Sequence, residues 1–196
     1  GQTRKRQLDG LALVGACLCK AVGKLQPALW DMRNGYAMCT REGLALIAEH
    51  LATLDANQKD DLRGLLCIGI HSNVQVTDLP AESTGYVSQA FCSALPVAYA
   101  ERQNQRAPWA PFATLILEAA YEATLWAAVL NARRTGSRIV LLTRLGGGAF
   151  GNEDGWIDAA LRRALEQTRT AGLDIRLVSF RAPSTSTLAL AAEFSR

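Results

Sequence analysis

Gly146, Gly147, Gly148 and Gly151 stand directly behind the apolar run "RIVLLT", Arg138 to Thr143, and ahead of the polar "NEDGW". Backbone this bare can approach a ligand closely. N–H groups at the start of a following helix carry partial positive charge, which suits an anion and most often a phosphate. The other reading is a tight turn that requires positive φ, but a turn needs one or two glycines rather than four. Gly146, Gly148 and Gly151 satisfy G-x-G-x-x-G literally. A dinucleotide site, however, puts that pattern after the first strand and an acidic residue at the end of the next one. Here the pattern comes late, the following strand-like run ends in Phe180 and Arg181, and Asp174 is at its wrong end. A nicotinamide site is therefore not expected. A P-loop is excluded because no Gly-Lys-Ser/Thr follows.

The other chemistry-bearing residues form no known constellation. Cys17, Cys19, Cys39, Cys67 and Cys92 are odd in number and match no zinc spacing, and the only histidines are His50 and His71. No metal or cofactor is expected, and the thiols read as buried and reduced in a cytoplasmic protein. Cys92 followed by Ser93 could be a nucleophile pair, but no acid–base histidine pattern accompanies it. The 21 basic and 18 acidic residues leave a net charge of +3, too balanced to argue for nucleic acid. The one basic cluster, Arg4, Lys5 and Arg6, reads as a solvated end. No apolar run approaches the ~20 residues of a membrane span, and no signal peptide is visible. A monomer without membrane contact is expected. The first residue is Gly1 rather than Met, which suggests that the natural chain extends further.

Elements must position these groups. "RIVLLT" reads as a buried strand. From Trp156, the residues Ile157, Ala160, Leu161, Ala164, Leu165 and Thr168 recur at helical spacing opposite Asp158, Arg162, Glu166 and Arg169. Asn152 or Asp154 can cap this helix, and Gly172 is placed to end it. "DIRLVSF", Asp174 to Phe180, is a second strand, completing a right-handed parallel βαβ unit. Pro111 to Ala132 reads as a long helix, apolar over most of its girth, with Thr114, Glu118 and Glu122 as its polar stripe. "GLLCIGI", Gly64 to Ile70, reads as another buried strand, followed by the polar segment "HSNVQVTD", His71 to Asp78. Leu44, Ile47, Leu51 and Leu54 mark a helix before it. The chain divides into a mainly helical segment over residues 1–38, a core over 39–181 and a tail over 182–196. The class is α/β, with a largely parallel sheet covered by helices.

A strand, "GGGAFG", a helix and a strand near the C-terminus resemble the second loop of the macrodomain fold. There a Gly-rich turn cradles the diphosphate of ADP-ribose. Together, "HSNVQVTD", "FCSALPVAYA", "APFATLILEAAYEATL" and "LTRLGGGAFGN" resemble a divergent branch of that superfamily, one that includes a bacterial effector removing ADP-ribose from modified ubiquitin. The resemblance covers roughly residues 65–180. It implies a three-layer α/β/α sandwich and an ADP-ribose site formed by Gly146, Gly147, Gly148, Ala149, Phe150, Gly151 and Asn152. The usual first loop, Asn-Ala-Ala-Asn before a glycine run, is absent. Its place is taken by His71 to Asp78, with Asn73 and Asp78 as polar anchors.

Hydrolysing an ADP-ribosyl bond develops positive charge on the distal ribose, and a nearby carboxylate can stabilise it or orient water. Asp78 is the leading candidate if the strands are parallel, with Asn73 bonding the ribose; a turn-forming role before Pro80 competes. Glu122, Glu153 and Asp154 are possible second carboxylates, and at least one of the latter two should point away from a diphosphate. Glu122 also reads as solvated or bonded to a neighbouring strand. Phe150 walls the distal ribose or packs in the core. His71 reads as a satisfied strand-end histidine rather than a base. Two functions follow: a hydrolase that strips ADP-ribose from a protein side chain, arginine by analogy and ubiquitin as an example, or a reader that binds without cleaving. The expected partners are accordingly ADP-ribose and an ADP-ribosylated protein.

Overall fold

The computed structural model describes residue 3 and residues 8–80, 83–99, 107–180 and 182–195. Arg4, Lys5, Arg6 and Arg181 lie outside the described residues. The order of elements is α1 (Ala12–Val22), α2 (Gln26–Leu29), β1 (Trp30–Arg33), β2 (Tyr36–Cys39), α3 (Arg41–Thr53), α4 (Ala56–Arg63), β3 (Gly69–Gln75), β4 (Tyr86–Phe91), α5 (Ala110–Thr135), β5 (Ile139–Leu142), α6 (Asp154–Gln167), β6 (Asp174–Leu177) and α7 (Thr185–Phe194). Two short 3-10 turns, Val97–Tyr99 and Ala107–Trp109, precede α5.

The class is α/β as expected, but the strands do not join into one largely parallel sheet. Among the described residues they form three pairs: β1–β2 and β3–β4 antiparallel, β5–β6 parallel. The expected parallel unit is present as β5, α6 and β6, with Ile139 beside Asp174 and Leu142 beside Leu177. Its first strand is buried on one face only. Val140 and Leu142 face the helices, whereas Ile139 and Leu141 are 54% and 65% exposed. The strand expected over Gly64 to Ile70 begins at Gly69, because Leu65 and Leu66 still donate to the last carbonyls of α4 in a turn. The segment expected as a polar loop, His71 to Gln75, is itself the strand β3. The first 38 residues hold a hairpin as well as helices. Asn34 and Gly35 both have positive φ, as a two-residue hairpin turn of the primed type demands. The C-terminal tail is helical: Ser184 caps α7 by accepting from Thr187 N–H, and Leu190 is buried.

Two cores share α5. Val14, Leu18, Leu29, Trp30, Ile47 and Phe112 pack the first, with the Trp30 and Phe112 rings 5.4 Å apart. Leu117, Tyr121, Leu125, Leu142, Ile157, Leu161 and Leu190 pack the second. Each such large side chain stabilises the fold by about 1.5–3 kcal/mol through burial. Service to two cores explains why α5 is apolar nearly all round. With the 3-10 turn before it, this helix is long and apolar enough to cross a membrane by length and composition, unlike the expectation from the sequence. Half of its most apolar window is nevertheless buried inside the protein. Its polar stripe is ion-paired. Arg63 of α4 reaches Glu118 at 2.6 Å and also Asp60; Arg163 of α6 reaches Asp60 and, at 3.5 Å, Glu122. Although desolvation raises it, Arg163 and Arg63 together hold the Asp60 carboxyl below its ordinary value.

Candidate functional site

β4 and β5 run in the same direction along α5. Ser88 of β4 donates to Asn131, and Cys92 just beyond the strand lies 3.8 Å from Thr124. Beyond β5, the Tyr121 hydroxyl donates to Thr143 O and accepts from Leu145 N–H, at 2.9 and 2.6 Å. The carboxyl ends of both strands therefore meet near the middle of the helix, where open α/β sheets place their ligands.

The loops leaving those ends are locked together. Ala98 N–H donates to Phe150 O, and the Asn152 amide donates to Leu95 O at 2.9 Å. Gly146 and Gly151 make this lock possible. Both have positive φ, and a Cβ would lie 2.5 Å from the Ala94 methyl at Gly146 and 2.8 Å from the Ala98 methyl at Gly151. Two of the four glycines thus serve the tight turn and the close approach of backbones. A Cβ on Gly147 would press on Ile157, whereas one on Gly148 would meet nothing within 4 Å, at ordinary φ. The N–H groups of Gly148, Ala149 and Phe150 make no hydrogen bond to the described residues. Successive unengaged N–H groups in a turn are the raw material of an anion site.

The polar residues behind the loop divide differently from expectation. Glu153, half-buried, is the N-cap of α6, without a side-chain capping bond, so neither Asn152 nor Asp154 caps the helix. Asn152 is 5% exposed and spends its amide on Leu95 O and Gly146 O; it holds the loops rather than facing a ligand, and its Oδ1 has no hydrogen-bond partner among the described residues. Asp154 points to Arg144 at 2.7 Å, and Arg144 also binds Asp158. Although partial burial opposes it, these two carboxylates raise the Arg144 pKa above its ordinary value. Arg144, directly before the loop, is therefore already neutralised, whereas the N–H groups of Gly148, Ala149 and Phe150 are unengaged among the described residues. Helix α6 ends at Gln167, and Gly172 lies in the turn before β6.

The remaining candidates lie elsewhere. Because β3 pairs antiparallel with β4, its carboxyl end points away from the glycine loop. Asn73, at a bulge with φ +60°, lies midway along the hairpin beside Ser88, whereas Asp78, exposed beyond the strand, is at its far end. For Asp78 the six residues of β4 intervene, which is about 20 Å of strand. The parallel arrangement on which Asp78 depended is thus corrected. Glu122 is bound to Arg163 on a neighbouring helix, not to a strand or to the loop. His71 is exposed on β3 opposite Gln89. All five cysteines are free; Cys17 and Cys67 are exposed rather than buried. Burial pushes the Cys92 thiol up, more than its contact with Thr124 lowers it, the reverse of what a nucleophile needs.

Residues outside the expected set complete the surroundings. A cavity of about 820 Å³ opens beside the locked loops, walled by Asp9, Leu11, Tyr36, Ile68, Phe91 and Leu95 among others. Asp9 Oδ1 accepts from Leu11 N–H at 2.8 Å. Phe150 packs edge-on against Tyr36 and Tyr99, at centroid distances of 5.1 and 5.4 Å. No family model, curated relative or solved structure matches this chain.

Proposed function

We propose that the chain is an ADP-ribosyl hydrolase of macrodomain-like build, holding the diphosphate of ADP-ribose at Gly148–Phe150 and releasing ADP-ribose from a modified protein side chain, arginine, as on ubiquitin. The observation that carries the reading is Gly148. Its three companions are used by turn geometry or close packing, whereas Gly148 has open space around it and begins three successive unengaged N–H groups. That is what a backbone cradle for an anion requires. A cavity the size of an ordinary small-molecule site adjoins on the side of Ser93, Ala94 and Leu95, the segment locked to the loop, although no residue of the loop itself lines it. In this reading α5 and α6 form the helical layer on one side of the strands of an α/β/α sandwich.

Cleavage needs a carboxylate where positive charge develops on the ribose. Glu153 follows the loop directly, at the N-cap of α6, and takes the part that the sequence suggested for Asp78. Release of ADP-ribose from an arginine-ADP-ribosylated peptide tests this. Glu153→Gln is expected to lower turnover at least tenfold while ADP-ribose binding persists, a loss of about 1.4 kcal/mol or more in transition-state stabilisation. The placement of Asp78 at the far end of the hairpin, with Asn73 midway along it, favours a second reading, a reader without turnover. Wild-type protein that binds ADP-ribose but releases none from the peptide would establish the reader instead.

A further inference from the structure

The β1–β2 hairpin belongs to neither the glycine loop nor the strands behind it, yet its Tyr36 reaches the loop. Its Asn34–Gly35 turn has positive φ at both central residues, +52° and +84°, which fixes the direction in which Tyr36 leaves the turn. Tyr36 then meets Phe150 of the loop at 5.1 Å and 77°, and Tyr99 at 6.4 Å and 89°. Tyr99 meets Phe150 at 82°, so each ring presents an edge to the next. The same Tyr36 lines the cavity with Asn34, Gly35 and Ala37. One aromatic group therefore touches both the loop and the adjoining cavity. Its three rings come from three separate parts of the chain.

We propose that Tyr36 is a positioning residue: it holds Phe150 as a fixed wall beside the loop and so sets a preference for diphosphates that carry a second sugar over those that do not. The inference rests on the ADP-ribose reading of the loop. Phe150 packs on one side against the second core, and its backbone carbonyl accepts from Ala98 N–H, which leaves the orientation of the ring to its aromatic neighbours. Two edge-to-face neighbours restrict its orientation, and each such pair contributes about 0.5–1.5 kcal/mol beyond burial. A wall held in place gains contact with the apolar face of a ribose past the diphosphate. A ligand that ends at the diphosphate does not reach it.

The test is the ratio of ADP-ribose affinity to ADP affinity, by calorimetric titration of the full chain. Wild-type protein is expected to prefer ADP-ribose. Tyr36→Ala is expected to cut that preference by about tenfold through weaker ADP-ribose binding, with ADP nearly unchanged. Tyr36→Phe, which keeps the ring, retains the wild-type ratio. Tyr99→Ala, at a more exposed position, lowers the ratio by a smaller factor and serves where Tyr36→Ala disturbs folding. An unchanged ratio in both alanine variants, or an equal loss of ADP and ADP-ribose binding in both, overturns the role of Tyr36 and leaves the loop reading standing. A folded wild-type protein that binds neither ligand overturns the loop reading, and this inference with it.

Discussion

The glycine loop and the β3–β4 hairpin are both polar turns that follow strands, and both carry residues suited to a site, but the fold treats them in opposite ways. The loop after β5 is pinned. Its backbone bonds to the segment after β4, Asn152 is buried beneath it, and Arg144 ties its exit to α6. The β3–β4 hairpin is held less closely among the described residues: Asn73 within β3 and Asp78 beyond it are exposed, and the hairpin itself is exposed over most of its length. Preorganised donors make a binding site, and preorganisation comes from backbone that is locked by packing rather than from the residue types alone.

The sharpest way to break this comparison is to add a methyl group in the pinned loop. Gly146→Ala should cost about 2–4 kcal/mol of stability, since positive φ and overlap with Ala94 and Asn152 act together. Gly148→Ala, into open space, should leave the urea midpoint nearly unchanged. Equal midpoints for the two variants would mean that the loop is not locked as described.

Tyr121 tests the lock from beneath. Removing its hydroxyl in Tyr121→Phe loses bonds to Thr143 O and Leu145 N–H and is expected to cost about 1–2 kcal/mol. Burial, outweighing the Leu145 bond and the charge of Arg144, pushes this phenol up to about 12 from 10.0. The folded state then keeps its proton where the unfolded state has begun to lose it. The associated stability is fully present below pH 10 and lost as pH rises from 10 toward 12. Denaturation at several alkaline pH values should show that slope in wild-type protein and a shallower one in Tyr121→Phe.

The smallest effect belongs to the unpinned turn. Asp78→Ala should change stability by no more than about 0.5 kcal/mol, as an exposed substitution does. It should also leave ADP-ribose affinity and peptide turnover unaltered. Loss of turnover with intact binding would bring the hairpin end to the loop and reverse the contrast drawn between them.

Much of the local structure was legible in the sequence, because period and punctuation are local properties. The apolar spacing of Ile157, Ala160, Leu161 and Ala164 marked α6, and β5 and β6 flanked it in parallel as that unit requires. The direction of β3 was not legible, since nothing in "HSNVQVTD" tells a loop from an exposed strand whose partner lies beyond a turn. Reading those residues as a loop at a parallel strand's end carried Asp78 to the wrong edge. Asn34–Gly35 is a hairpin signal that the mainly helical reading of residues 1–38 passed over, and its consequence, Tyr36 against Phe150, depends on contacts between distant parts of the chain. The glycines show the same division. Their number pointed to a bare backbone, but only the neighbours of each one separate Gly146 and Gly151, which the fold requires, from Gly148, which it does not.

The most direct measurement is calorimetric titration of wild-type protein and Gly148→Val with ADP-ribose, with AMP and NAD as comparisons. Selective micromolar binding of ADP-ribose by the wild type, lost in a Gly148→Val variant that melts at the wild-type temperature, is the predicted result. A folded wild type that ignores ADP-ribose, or a Gly148→Val variant that binds it equally well, would contradict the assignment of the loop as a diphosphate cradle.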